Sequence, residues 1–308
     1  MENKLVSVRN LSHRYSSQWA VRNVSFDIDE SGVTGLLGSN GAGKSTTMNI
    51  ICGVLRQTEG DVFIDGIDLK KDPVRAKQNI GFLPQTPPLY KDYTVQEYLT
   101  HCAHLHLMPR KEISAAVERA MEKCKITHFR NRVIKYLSGG YQQRVGIAQA
   151  IIHNPRFVIL DEPTNGLDPN QIVEIRNLIR DIAKHHAVLL STHILSEVQA
   201  ICSSIRMIEN GEIVFNGTMD EFDNYVKPES FIVEYANAVP TEELAKVCGE
   251  ECKAEALSPN RYRIRFGSNN ELSEKLIRYG YEKNWDLIEL TVERLTLDEI
   301  FAHLSKCK

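Results

Sequence analysis

The sequence predicts an α/β domain built on a parallel sheet, followed by a smaller α+β domain. Three observations support this prediction. Short apolar runs alternate with helical patterns from Val33 to Ser191, which is typical of a parallel sheet covered on both faces by helices. The glycine-rich segment LLGSNGAGKSTT joins the first of these runs to a helix. From Phe231 onward, alternating strands and short helices replace the apolar runs. We therefore expect domains at residues 1–218 and 228–308, with a helical subdomain at about 92–152.

Composition limits the classes of protein that fit. The chain has 308 residues, 42% of them hydrophobic and 25% charged, which is ordinary for a globular protein of two domains. Its net charge of −3 gives no general attraction for nucleic acid or anionic lipid. The seven cysteines are scattered without a Cys-x-x-Cys pair, so we expect reduced thiols in the cytoplasm. No apolar run is long enough to predict a membrane span.

The segment from Leu36 to Thr47 predicts a phosphate-binding loop. Gly38, Gly43, Lys44 and Ser45 have the spacing of that motif. Its glycines allow the backbone to turn with positive φ and to approach a ligand closely. Lys44 supplies a positive charge for the β- and γ-phosphates, and the Ser45 hydroxyl suits Mg²⁺. The helix that begins at Lys44 presents its positive dipole end to the same anion.

Strands on both sides of this loop predict a small antiparallel sheet beside the parallel core. The segments Leu5–Val8 and Val24–Ile28 are predicted to pair, and Gly60–Leu69 adds a strand with an Asp-Gly turn. Tyr15 and Trp19 fall in the polar connection between the first two strands.

A helical insertion follows the next strand. Ile80 to Tyr90 is predicted to run from a strand into a proline-rich loop, with Gln85 where the strand ends. Thr94 to Lys125 carries two helical patterns. Histidines occur along the first of them, but no carboxylate accompanies them, so surface histidines are favoured over a metal site. They are His101, His104 and His106.

A second helix start has glycine-rich backbone. LSGGY at Leu137 to Tyr141 precedes a helix predicted at Gln142–Ile152, which Ser138 is placed to cap. Two glycines leave the first amides bare, so the segment is either a second anion site or an ordinary turn and cap.

Acidic residues follow a buried strand. Phe157–Leu160 is apolar throughout and leads directly into Asp161 and Glu162. Ligands of open α/β sheets bind at the carboxyl ends of strands, where the phosphate loop also starts. Asp161 therefore suits the Mg²⁺ shell and Glu162 the activation of water, the alternative being solvated acids at the start of a helix.

The rest of the first domain continues the same alternation. Gly166 to Pro169 is a turn that opens a helix at Asn170–Lys184. Ala187–Leu190 is a further buried strand, and His193 follows its end. A hairpin over Asn210-Gly211 is predicted within Met207–Phe215.

The second domain is predicted to be ferredoxin-like, with the order βαββαβ and a final helix. Its strands are Phe231–Tyr235, Ala254–Leu257, Arg261–Phe266 and Leu287–Val292, and its helices are Pro240–Val247 and Leu272–Tyr279. A capping box at Thr296 and Glu299 starts the final helix. Arginines on one strand face could contact phosphate groups, although a solvated face is favoured. They are Arg261, Arg263 and Arg265.

These motifs, in this order, resemble the nucleotide-binding subunit of an ATP-binding cassette (ABC) transporter over about residues 4–217. The resemblance implies a P-loop NTPase fold with a parallel core sheet, an antiparallel β subdomain and a helical subdomain. It also implies that ATP and Mg²⁺ bind and that ATP is hydrolysed. The implied phosphate-binding residues are Gly38, Ser39, Asn40, Gly41, Ala42, Gly43, Lys44, Ser45 and Thr46.

The resemblance implies roles for the later motifs as well. Glu162 would be the catalytic base and His193 the switch histidine on the γ-phosphate. Gln85 would touch Mg²⁺, alongside Ser45 and Asp161, and would sense the membrane partner. Tyr15 would stack on adenine, and Asp168 would belong to the D-loop. Ser138, Gly139 and Gly140 would contact ATP on a second cassette, so a head-to-tail dimer, expected to be a homodimer, is required for hydrolysis.

Three positions depart from the common pattern of the family. Tyr141 replaces a glutamine, Ser39 replaces a proline, and Gly166 stands where serine or alanine is common. Because the signature glycines and Ser138 make the main phosphate contacts in the family, we expect activity to survive.

The segment LTLDEIFAHLS, at residues 295–305, resembles the closing helix of exporter subunits that pair with separately encoded permeases. We therefore expect a cytoplasmic subunit, peripheral on the inner face of the cell membrane, that drives export and binds no nucleic acid. The alternatives are a cassette ATPase acting on ribosomes or DNA, and a regulator that binds ATP without turning it over. A single phosphate loop and the absence of heptads argue against the first, and only Tyr141 favours the second.

Overall fold

The computed structural model describes residues 4–29, 31–225, 230–248, 253–265, 272–293 and 299. The chain divides into two compact units, Met1–Phe222 and Asp223–Lys308. Each unit has a sheet and a hydrophobic core of its own.

The first unit combines two sheets with helices. Its strands are β1 (Val6–Tyr15), β2 (Gln18–Ile28), β3 (Gly32–Leu37), β4 (Glu59–Ile64), β5 (Ile67–Asp68), β6 (Ile80–Leu83), β7 (Phe157–Asp161), β8 (Ala187–Thr192), β9 (Ser204–Glu209) and β10 (Glu212–Thr218). Its helices are α1 (Lys44–Ile51), α2 (Pro73–Gln78), α3 (Val95–Leu105), α4 (Arg110–Lys123), α5 (Gly139–Ile151), α6 (Pro169–Ala183), α7 (Leu195–Ile201) and α8 (Met219–Asp223).

The main sheet has the order β10-β9-β3-β8-β7-β6. Strand β3 pairs in parallel with β8 and β9, and β7 pairs in parallel with β6 and β8. All residues of β7 and β8 are buried, because helices cover both faces of a parallel sheet. The carboxyl ends of β3, β7 and β8 therefore meet at one edge, as the sequence predicts.

The antiparallel sheet has the order β2-β1-β4-β5. Its first hairpin is longer than predicted, so Tyr15 is the last residue of β1 and Trp19 lies in β2, not in a polar connection. The prediction ended at Val8 because alternation breaks at Asn10, which has φ 47° beside a shift in pairing register. The strand resumes after this irregularity, and Ser16 forms the turn.

The second unit contains β11 (Ser230–Tyr235), α9 (Thr241–Cys248), β12 (Lys253–Ser258), β13 (Arg261–Arg265), α10 (Leu272–Glu282) and β14 (Leu287–Glu293). Its antiparallel sheet has the order β12-β13-β11-β14. This is the ferredoxin-like arrangement predicted from the element order. Of the predicted final helix the structure describes only Glu299, and Thr296 and Phe266 lie outside the described residues.

The arginines of β13 lie on the sheet face away from the core of the second unit, and glutamates neutralise them. Arg263 makes paired hydrogen bonds of 2.7 Å to Glu293. These bonds lower the pKa of the Glu293 carboxyl. Arg261 lies 3.5 Å from Glu289, and Arg265 lies 3.7 Å from Glu255. The structure thus favours a solvated, ion-paired face over a phosphate-binding one.

Candidate active site

The loop between β3 and α1 depends on its glycines. Gly41 and Gly43 have φ of 85° and 108°, in the region that glycine adopts without strain. A Cβ on Gly38 would lie 2.2 Å from the Ile208 carbonyl oxygen, and one on Gly43 would lie 2.7 Å from that of Ala20. Side chains at positions 38 and 43 would therefore displace backbone, so packing requires glycine at both positions, and the backbone conformation also requires it at Gly43.

Lys44 is buried at the floor of this loop. Its ammonium group donates hydrogen bonds of 2.9 Å to the carbonyl oxygens of Gly38 and Ser39. Burial lowers the pKa of Lys44, and the carboxylates of Glu162, Asp161 and Glu209 oppose that shift. The carboxylates at the end of β7 thus act electrostatically on the Lys44 ammonium group.

Three side chains converge on the Glu162 carboxylate. Gln85 Nε2 donates to Oε2 at 3.0 Å, and Asn165 Nδ2 donates to the same oxygen at 3.3 Å. His193 Nδ1 lies 3.2 Å from Oε1. Gln85, Asn165 and His193 are exposed, whereas the Glu162 side chain is only 11% exposed. The structure therefore brings together Gln85, Glu162 and His193, which the sequence places on three separate segments.

Ser191 fixes the backbone around the two acids. Its hydroxyl donates to the buried Asp161 carboxylate. The Glu162 amide donates to the Ser191 hydroxyl at 3.0 Å. Glu162 itself has φ 46°, which is uncommon for a residue with a side chain. The backbone thus turns sharply just after β7 and aims Asp161 and Glu162 in different directions.

The unusual Ser39 has a specific partner. Its hydroxyl donates to Glu209 Oε1 at 2.7 Å, and its amide lies 3.4 Å from Oε2. Glu209 ends β9, next to the predicted turn at Asn210 and Gly211, where φ is 50° and 81°. A proline at position 39 has neither donor, so this clamp depends on the serine.

The LSGGY segment lies at the start of α5. Ser138 occupies the N-cap position, as predicted, but its side chain makes no capping hydrogen bond. Ser138 and Gly139 are exposed, whereas Gly140 is buried. A Cβ on Gly140 would lie 2.7 Å from the Gln171 side chain. Within the described ranges, no hydrogen bond joins Ser138, Gly139 or Gly140 to the Glu162 group.

Tyr141, which stands where the family commonly has glutamine, packs against side chains of neighbouring segments. Its ring meets Phe129 edge to face at 4.5 Å and His128 at 5.9 Å. The Arg144 guanidinium lies 5.9 Å from the Tyr141 ring centroid. Tyr141 therefore joins a cluster with the turn after α4.

Tyr15 and Asp168 are two further residues that the sequence predicts for the site. Tyr15 is 53% exposed, and its ring meets that of His13 in a T-shaped contact at 4.8 Å. Asp168 caps α6 by accepting a hydrogen bond of 2.9 Å from the Gln171 amide.

The sequence did not predict several polar residues that form hydrogen bonds in or beside the site. These are Asn165, Ser191, Glu197 and Glu209. Ser191 lies near the carboxyl end of the buried strand β8, where ligands of parallel sheets bind. Glu209 carries no motif, because its contact with Ser39 spans 170 positions of sequence.

Comparison with known proteins agrees with this geometry. The model for the family described as ABC transporter matches residues 21–165. An uncharacterised ABC transporter ATP-binding protein of Bacillus subtilis, YxlF, is 36% identical over 217 residues, which are 70% of this chain and 72% of YxlF. This chain belongs to the ABC transporter family. It is an ATP-binding subunit of a transporter, and cassettes of this family are ATPases.

Other members are similar over the same share of the chain. The lipopolysaccharide export system ATP-binding protein LptB of Haemophilus influenzae is 35% identical over 225 residues, which are 71% of this chain and 93% of LptB. A dimeric cassette, MJ0796, solved in a post-hydrolysis state with ADP and phosphate, matches with a TM-score of 0.63 and 27% identity, covering 70% of this chain and 98% of its own. No helix in the described part of this ABC subunit is both long and apolar enough to span a membrane.

Proposed function

We propose that this chain is the ATP-hydrolysing subunit of an ABC exporter, which dimerises head to tail on MgATP and drives a separate membrane permease. Residues 1–218 would form the cassette and residues 228–308 an accessory domain. The observation that carries the proposal is the convergence of Gln85 and His193 on Glu162, with Lys44 of the phosphate loop beside the same acids.

In this proposal the phosphate loop binds the nucleotide. The amides of residues Gly38 to Thr46 surround the phosphates, and Lys44 exchanges its two carbonyl partners for phosphate oxygens. Since a buried ammonium is stabilised by anionic partners, this exchange favours binding. The exposed face of Tyr15 stacks on adenine.

Glu162 acts as the general base toward the attacking water. Its orientation depends on Gln85 and Asn165, which donate to one carboxylate oxygen, and on His193, which approaches the other. His193 is then placed to contact the γ-phosphate from the same side. General-base catalysis of this kind is worth about 10²-fold to 10⁴-fold in rate.

The donor set fits Mg²⁺ shared with phosphates. The described residues contain no cluster of three or more His, Cys, Asp or Glu side chains that could hold a metal alone. The exposed Ser45 hydroxyl, the Gln85 amide and Asp161 supply the few oxygen ligands that Mg²⁺ takes from protein at nucleotide sites. Bound there, Mg²⁺ would neutralise charge on the β- and γ-phosphates.

A second copy completes the site. The exposed Ser138 hydroxyl has no partner in the part of the chain that the structure describes, and the amides at Gly139 and Gly140 begin α5. A helix N-terminus with bare amides binds anions. We infer that Ser138 to Gly140 contact ATP held by the other cassette and that Asp168 lies in that interface, with a homodimer as the simplest assembly.

An aromatic patch beyond Gln85 supports docking on a permease. Tyr90 is 50% exposed and Tyr93 is 41% exposed, and their rings lie 5.5 Å apart. His101 of α3 lies 5.4 Å from Tyr90. We infer that a cytoplasmic helix of the permease binds this patch and holds the subunit at the inner membrane face. Export as the direction rests on the family resemblance of residues 295–305 and on the name of LptB.

The decisive variant is Glu162→Gln. It preserves shape but removes the base, so we expect ATP hydrolysis to fall about 100-fold or more while ATP binding persists. The variant should also accumulate as an ATP-dependent dimer in size-exclusion chromatography. Glu112→Gln, an exposed glutamate at the start of α4, serves as the matched control. Unchanged phosphate release by Glu162→Gln would refute the proposal, and recovery of the protein with ribosomes but never with membranes would refute its transport role.

A further inference from the structure

Glu197 is a buried carboxylate beside the candidate active site. It lies in the first turn of α7 and is 1% exposed. Burial of a carboxylate is costly unless hydrogen bonds and an opposite charge compensate it. The contacts of Glu197 therefore indicate why the fold tolerates a charge at this position.

Two hydroxyl groups, one after β7 and one at the end of β8, donate to Glu197. Thr164 Oγ1 donates to Oε1, and Thr192 Oγ1 donates to Oε2 at 2.7 Å. Thr164 follows Glu162 by two positions, and Thr192 directly precedes His193. One carboxylate thus ties together the loops that carry Glu162 and His193.

The hydrogen bonds of Thr192 require an acceptor oxygen at position 197. The Thr192 hydroxyl accepts a hydrogen bond of 3.0 Å from the Ile194 amide, so its own proton points to Glu197. A glutamine at position 197 has one acceptor oxygen and one NH2 donor, so only one of the two hydroxyls could donate to an oxygen as it does now, and the negative charge would be lost. Replacement by an amide therefore forces one of the two hydrogen bonds to reverse or to break.

A guanidinium group compensates the charge of Glu197 from α6. Arg176 lies 3.9 Å from Oε1, and its Nε has no hydrogen-bond partner among the described residues. Helix α6 begins at its cap Asp168. The carboxylate therefore also links the two loops to the helix that starts at the D-loop.

We propose that Glu197 is a positioning residue that sets the separation of Glu162 and His193, now 3.2 Å between Oε1 and Nδ1. This inference rests on the proposed function, since it assigns Glu197 a part in the same hydrolysis. A displacement of about 1 Å at a reacting group costs on the order of 10²-fold in rate. Glu197 contacts neither nucleotide-binding loop residues nor the reacting atoms, so its loss should affect turnover and leave nucleotide affinity intact.

The test measures kcat, KM and ATP affinity of the full-length protein with Glu197→Gln and with Thr192→Val. Both should lower kcat about tenfold to 100-fold, with KM and the dissociation constant for ATP within about threefold of the parent. Thr192→Ser restores the hydroxyl and should recover most of the rate. Ser196→Ala, on the exposed turn of α7, is the control variant.

The outcomes distinguish the positioning role of Glu197 from the proposed function of the whole protein. Parent-like kcat in both Glu197→Gln and Thr192→Val, with Glu162→Gln inactive, would overturn the positioning role alone. Loss of activity in Thr192→Ser equal to that in Thr192→Val would also overturn it, because the hydroxyl would then be irrelevant. Equal hydrolysis by the parent and by Glu162→Gln would overturn the proposed function and this inference with it. If Glu197→Gln fails to fold, Thr192→Val and Thr192→Ser decide the question.

Discussion

Arg144 should contribute far more to stability than the glutamate with which it forms an ion pair. Its side chain is 7% exposed, whereas that of Glu174 is 60% exposed. The guanidinium donates to the Cys124 carbonyl at 3.0 Å and to Glu174 at 2.6 Å, and it lies near the Tyr141 ring. Arg144 thus joins the end of α4, helix α5 and helix α6.

The expected magnitudes follow from these exposures. Arg144→Met keeps the aliphatic stem but removes the charged hydrogen bond to a buried carbonyl, a loss of about 1.5–3 kcal/mol. The contact with Tyr141 adds about 0.5–1 kcal/mol. Glu174→Gln removes only an exposed pair, which is worth about 0.2–1 kcal/mol. We therefore expect Arg144→Met to lower the free energy of unfolding by about 2–4 kcal/mol.

Urea unfolding can follow the first unit alone. The chain has two tryptophans, Trp19 in the first unit and Trp285 in the second. In a Trp285→Phe background, Trp19 fluorescence reports on the first unit. Arg110→Met makes the same change at an exposed arginine and should cost less than about 0.5 kcal/mol. Equal losses for Arg144→Met and Glu174→Gln, or a loss below about 1 kcal/mol for Arg144→Met, would refute this account.

Two further predictions concern charge. Burial lowers the pKa of His153 from 6.5 to about 4, and its ring stacks on His106 at 3.7 Å. Between these two pH values the unfolded chain is protonated at His153 and the folded chain is not. The free energy of unfolding of the first unit should therefore decrease as the pH falls from 6.5 toward 4. His153→Phe should remove this part of the pH dependence, which urea unfolding at a series of pH values measures. Glu209→Gln removes a negative charge beside Ser39 and Lys44. The dissociation constant for ATP, measured by calorimetry, should therefore fall by roughly threefold to tenfold. Unchanged or weaker binding would contradict this electrostatic role of Glu209.

The fold could be predicted largely because apolar runs and turn residues act locally. The continuous apolar runs at β3, β7 and β8 identify strands buried on both faces. Helix α2 was missed, although Asp72 accepts a hydrogen bond from the Arg75 amide and Pro73 takes the first helical position. Helix α7 was also missed, because it is short and its N-cap residue, Ile194, gives no capping signal.

The candidate site could be predicted only as a set of motifs. Gln85, Glu162 and His193 each follow a strand, so their meeting at one edge follows from topology. The ties that hold them do not, because Thr164 and Glu197 are 33 positions apart and no spacing rule links them. Lys44 also takes partners that no motif predicts, since it bonds to carbonyls of its own loop.

The left-handed backbone at Glu162 sets stability against activity at this position. A side chain at φ 46° costs about 1–2 kcal/mol, which glycine would not incur. Selection for thermal stability alone would therefore favour glycine at position 162, the position that we propose for the catalytic base. Stability and turnover compete at this single residue, and libraries screened for heat resistance should be sorted for phosphate release before any substitution there is kept.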